Sequence, residues 1–65
     1  MTNDDKITVD LELTRDQAWE LAQVLKRLTL TDYRLLTTDM EKARDAMRGA
    51  ECVREALAKV GIDPR

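Results

Sequence analysis

Apolar residues occupy every second position near the start of the chain: Ile7, Val9, Leu11 and Leu13 alternate with Thr8, Asp10 and Glu12. A period of two is that of a half-buried strand, so the spacing predicts a strand over residues 6–13. No second segment repeats the alternation. A single strand leaves its backbone N–H and C=O groups without partners on both edges, and therefore calls for another chain or a covering helix.

The period then changes. Thr14 followed by Gln17 three residues on is a capping box, with Leu13 placed to staple onto Ala18. Behind it, Ala18, Leu21, Ala22, Leu25 and Leu28 form an apolar stripe opposite Asp16, Glu20, Gln23 and Arg27. This predicts a helix over 15–29. Trp19 flanks the stripe and reads first as a core-edge residue, second as an interface anchor. Thr29, Thr31 and Thr37 interrupt the pattern, leaving a short turn over 32–36 packed down by Tyr33, Leu35 and Leu36.

Thr38 with Glu41 repeats the capping-box signature, and a long helix over 39–60 follows. Its apolar positions are Met40, Ala43, Ala46, Met47, Ala50, Val53, Leu57 and Val60. Gly49 costs about 1 kcal/mol against alanine inside a helix. With Ala46 and Ala50 it also makes a smooth patch that another helix could approach closely. One helix, kinked at Gly49, is expected rather than two short ones. Gly61 suits a left-handed cap, with Ile62 folded back and Pro64 preventing continuation. The expected architecture is mainly α with one N-terminal strand, β-α-α, as a single domain over 6–65 behind a disordered stretch at 1–5.

Length turns the lone strand into an argument for association. Sixty-five residues bury little apolar surface, and scaffolds of this size recover the deficit through disulfides, metals or oligomerisation. Cys52 is the single cysteine and there is no histidine, so an intrachain disulfide and the usual nitrogen and sulfur metal ligands are ruled out. A homodimer is the expectation. The first residues show no basic and apolar signal pattern, and no apolar run reaches bilayer length, which predicts a cytoplasmic protein with Cys52 reduced.

Charge narrows the partner. The net charge is −2, and Asp4, Asp5, Asp10 and Glu12 face only Lys6 in the first fourteen residues. An acidic ribbon disfavours nucleic acid, whose binding rests on basic residues. Catalysis, cofactors and metals are not expected. The carboxylates stand where water keeps their pKa ordinary, Cys52 lies in an apolar helical pattern, and neither glycine belongs to a phosphate loop. The candidate residues are those of a protein interface: Ile7, Val9, Asp10, Leu11, Glu12, Trp19, Tyr33, Ala46, Gly49 and Ala50.

Two resemblances bear on function. Strand, capped helix, threonine-rich turn and second helix resemble the order of ribbon-helix-helix repressors, which imply a dimer reading DNA through paired strands. Thr8, Asp10 and Glu12 would then face the groove with the wrong sign, and Thr29-Leu30-Thr31 stands where that family often carries glycine. Leu13, Thr14, Gln17, Ala18, Trp19, Leu21, Ala22, Gln23, Leu25, Lys26 and Arg27, with Asp32-Tyr33-Arg34 and the Ala56-to-Arg65 ending, resemble a family of small uncharacterised phage and prophage proteins. That resemblance implies a mobile-element origin, a host-cell cytoplasmic location and no stated activity. The expected role is therefore a non-enzymatic protein-interaction module of phage type, such as an inhibitor of a host defence or other host complex. A DNA-binding regulator and a structural subunit docking by its long helix are the alternatives.

Overall fold

The computed structural model describes residues 6–65, which form three helices: α1 (Arg15–Arg27), α2 (Leu30–Leu36) and α3 (Met40–Lys59). The expected disorder of 1–5 lies outside the described residues. Helices α1 and α2 each pack against α3 and not against each other, so the longest helix is the element the others share.

The expected strand is absent, and the β-α-α reading is corrected to an all-helical one. Residues 6–14 have no regular secondary structure, and among the described residues none of 6–13 takes part in a backbone–backbone hydrogen bond. The physical reason is the one that made the strand conspicuous. A strand is held by a neighbouring ladder, and no other segment of this chain supplies one. Alternation survives only as sidedness, with Ile7 88% and Val9 67% exposed.

Each helix begins where a side chain can meet its free N–H groups. Thr14 Oγ1 accepts from the Gln17 N–H at 3.1 Å, and Gln17 Oε1 accepts from the Thr14 N–H at 3.0 Å, the reciprocal box expected of α1. α1 ends at Arg27, two residues before its expected end. A second box, between Thr29 and Asp32, starts α2 at Leu30 and makes it a true two-turn helix rather than a turn. For α3 the cap is Asp39, whose Oδ1 accepts from the Lys42 N–H at 2.9 Å, instead of the expected Thr38 and Glu41 pair. α3 runs unbroken through Gly49.

The end of α3 is fixed by backbone geometry. Gly61 has φ +92°, its N–H donates to the Ala58 carbonyl, and the Ile62 N–H donates to the Leu57 carbonyl at 2.9 Å. This paired closure folds Ile62 back beside Leu57, and both are buried in one cluster with Ala18 and Ala22. Gly61→Ala should cost about 1 kcal/mol, because a Cβ is strained in that conformation although nothing crowds it. A lowered thermal midpoint with unchanged helicity at 20 °C checks this.

Asp32 makes α2 sensitive to acid. Its carboxylate accepts from the Thr29 N–H at 2.8 Å and from the Thr29 hydroxyl at 2.9 Å. The backbone bond first, and the hydroxyl second, hold its pKa below the ordinary value. A depressed folded pKa means stabilisation that is complete above the ordinary carboxylate range and lost as pH falls below about 4. α2 should therefore loosen before α1 and α3 on acidification, seen as early broadening of the Tyr33 and Leu36 amide signals. Asp32→Asn should remove that early step.

The interior is small. The buried apolar residues are Ala18, Ala22, Tyr33, Ala43, Leu57 and Ile62. Half of them are alanine, which lets helices approach closely but removes little apolar area from water.

Candidate apolar groove

A groove of about 980 Å³ lies between residues 7–13 and α3. One wall is the run from Ile7 to Leu13, and the other is the face of α3 that carries Gly49, Cys52, Val53, Ala56 and Val60. Ala18 of α1 and Leu57 close its base. These α3 positions recur at three and four residues, so they share a single helical face. Ile7, Val9, Leu11 and Leu13 share the other wall because they alternate.

The groove is apolar almost throughout. Among the described residues Glu12 is the one charged residue that lines it, while Asp10 is exposed outside it. Val60 is 74% exposed and Leu11 61% exposed, so large aliphatic side chains stand in water on both walls. Gly49, Cys52 and Ala56 are the small residues of the α3 wall. A Cβ added at Gly49 would meet nothing within 4 Å, and Cys52 is an exposed free thiol. Gly49→Ala should accordingly stabilise the isolated chain by about 1 kcal/mol through helix propensity, read as a higher urea midpoint.

Of the ten expected interface residues, the structure brings Ile7, Val9, Leu11, Glu12 and Gly49 onto this groove. Trp19 is half-buried against the core cluster and completes it. Tyr33 is buried on α2 and so is a core residue, not an open contact. Ala46 is exposed and Ala50 half-buried, and neither lines the groove. Reasoning from the sequence missed Cys52, Val53, Ala56 and Val60 as groove residues. Their three-and-four spacing is visible in the sequence, but the smooth patch expected at Ala46, Gly49 and Ala50 lies partly one step around the helix from the open face.

Among the described residues no cluster of three or more cysteine, aspartate or glutamate side chains is arranged to hold a metal ion. No described helix is long and apolar enough to cross a membrane. The arrangement offers apolar area and shape, which is the chemistry of association.

Residues 1–65 match the profile of a family described as one of unknown function, DUF7706. No curated protein and no solved structure matches the chain.

Proposed function

The chain belongs to DUF7706, a family of unknown function, and we propose that it acts as a non-enzymatic protein-interaction module whose working surface is the apolar groove. The observation that carries this reading is the groove itself: two mainly apolar walls about a space of about 980 Å³, with Glu12 the only charged residue among the described ones that line it. Apolar area of this kind costs free energy in water and is repaid when a complementary protein surface covers it. A more specific form, inhibition of a host complex by a phage-type protein, draws support from the small size and the acidic N-terminal segment.

Native affinity capture from the source cells tests the reading. Wild-type chain should retain partner protein, whether foreign or a second copy, and the double variant Val9→Asp, Leu11→Asp should release it. Both residues are exposed, so the substitutions leave the core intact. Identical recovery with wild type and variant would refute the groove as the working surface.

A further inference from the structure

We infer that residues 7–13 are a strap that closes intramolecularly onto α3 and covers Cys52 when no partner is bound. The inference goes beyond the interaction reading, because it concerns the isolated chain and names what a partner has to displace. The first argument is the gradient of exposure along the segment. Exposure rises with distance from α1, from 38% at Leu13 through 61% at Leu11 and 67% at Val9 to 88% at Ile7. The segment is thus already seated at its α1 end and open at the other. Its pivot is fixed, since Thr14 exchanges two hydrogen bonds with Gln17.

The second argument is fit. Extended, Ile7 to Leu13 spans about 20 Å and carries an aliphatic side chain about every 6.6 Å. The facing surface of α3 runs from Gly49 to Val60, a length of about 16 Å that repeats at every turn of about 5.4 Å. The two walls therefore match in length and nearly in period. Gly49, Cys52 and Ala56 leave room on α3 for the larger side chains of the segment. Thr8 and Asp10 are exposed and do not line the groove, so closure leaves them in water with both backbone edges of the segment. The strap needs no β ladder.

Proximity is the third argument, and it selects this occupant. Both walls belong to one chain, and a surface joined by a short linker meets its neighbour at an effective concentration of roughly millimolar. A free protein at micromolar concentration, a second copy included, has to compete with that. Burial of aliphatic area on both walls favours closure, and the lost freedom of the segment opposes it. Closure is accordingly reversible, and a partner can enter through the open form.

Cys52 reports on the strap, because it is an exposed free thiol while the strap is open. The rate of its alkylation by iodoacetamide, an uncharged reagent, is followed by mass from low to high micromolar protein. Wild type should react about 5-fold more slowly than the double variant Val9→Ser, Leu11→Ser, because alkylation proceeds through the open fraction alone. That rate should not change with protein concentration. Thr8→Ala, on the other side of the segment, should react as wild type does. The substituted residues are exposed, and circular dichroism confirms that each variant is folded.

A second measurement needs no substitution: nuclear Overhauser contacts from the Val9 and Leu11 methyl groups to Val53 or Val60 in a dilute sample. A wild-type thiol that reacts as fast as that of the double variant overturns the inference. So do the absence of those methyl contacts and protection that grows with protein concentration, the mark of a second copy over the face. None of these outcomes alters the affinity capture, which reads a partner directly and tests the interaction reading by itself.

Discussion

Leu57→Ala is expected to destabilise the chain by about 2–4 kcal/mol, the cost of removing a buried leucine together with the cavity it leaves. Leu57 and Ile62 are the two large members of the cluster that Ala18 and Ala22 complete. The Leu57 carbonyl also accepts the Ile62 N–H that folds the chain end back, so its side chain and backbone serve the same joint between α1, α3 and residues 60–65. Among the described residues Tyr33 and Ile62 are the only other large buried side chains. Small domains have only a few kcal/mol in hand, so the variant should be largely unfolded at 37 °C. Urea denaturation followed by circular dichroism measures the loss. A change below about 0.5 kcal/mol would show that this cluster does not hold α1 to α3.

Tyr33→Ala should cost about 3 kcal/mol or more, on the scale of aromatic truncations in cores. Its character should differ from that of Leu57→Ala. α2 has seven residues, Tyr33 is the only one of them that is buried, and a helix of two turns is not stable alone in water. Losing the ring therefore releases α2 from α3, while the cluster around Leu57 is untouched. Amide exchange should show α2 fully unprotected and the C-terminal half of α3 still protected. Uniform loss of protection in all three helices would mean that the α2 and α1 contacts with α3 form one cooperative unit.

Much of this fold could be read from side chains that act locally. Thr14 with Gln17 marked the start of α1, and Gly61 with Ile62 marked the end of α3, because a cap is a contact between residues three to five apart and sequence spacing specifies it. The apolar stripe of Ala18, Leu21 and Ala22 likewise gave α1 its buried face. Thr29 and Asp32 hold the signal for α2: threonine is a poor helix former but a good cap, and its reciprocal bond with the short Asp32 carboxylate starts the helix two residues before the expected short turn. The N-terminal segment failed for a different reason. A strand is a relation between two segments, and the alternation from Ile7 to Leu13 specified only which side chains share a side.

The same distinction explains the site. Ile7, Val9 and Leu11 were identifiable as contact residues because their sidedness is local. The opposite wall depends on how α3 is rotated about its axis when α1 and α2 pack on it, and that rotation is tertiary. Burial of Ala43 and Leu57 turns Cys52, Ala56 and Val60 outward and places Trp19 at the core edge. Side-chain spacing alone left the rotation undetermined by about one helical position.

Residues 7–13 present side chains to a groove without joining a β ladder. Amide hydrogen exchange of this segment at low micromolar concentration tests it most directly. The structure predicts that the amides of residues 7–13 exchange at the rates of an unstructured peptide while those of α3 are slowed. Slow exchange at alternate amides of the segment, the signature of strand pairing, would contradict it.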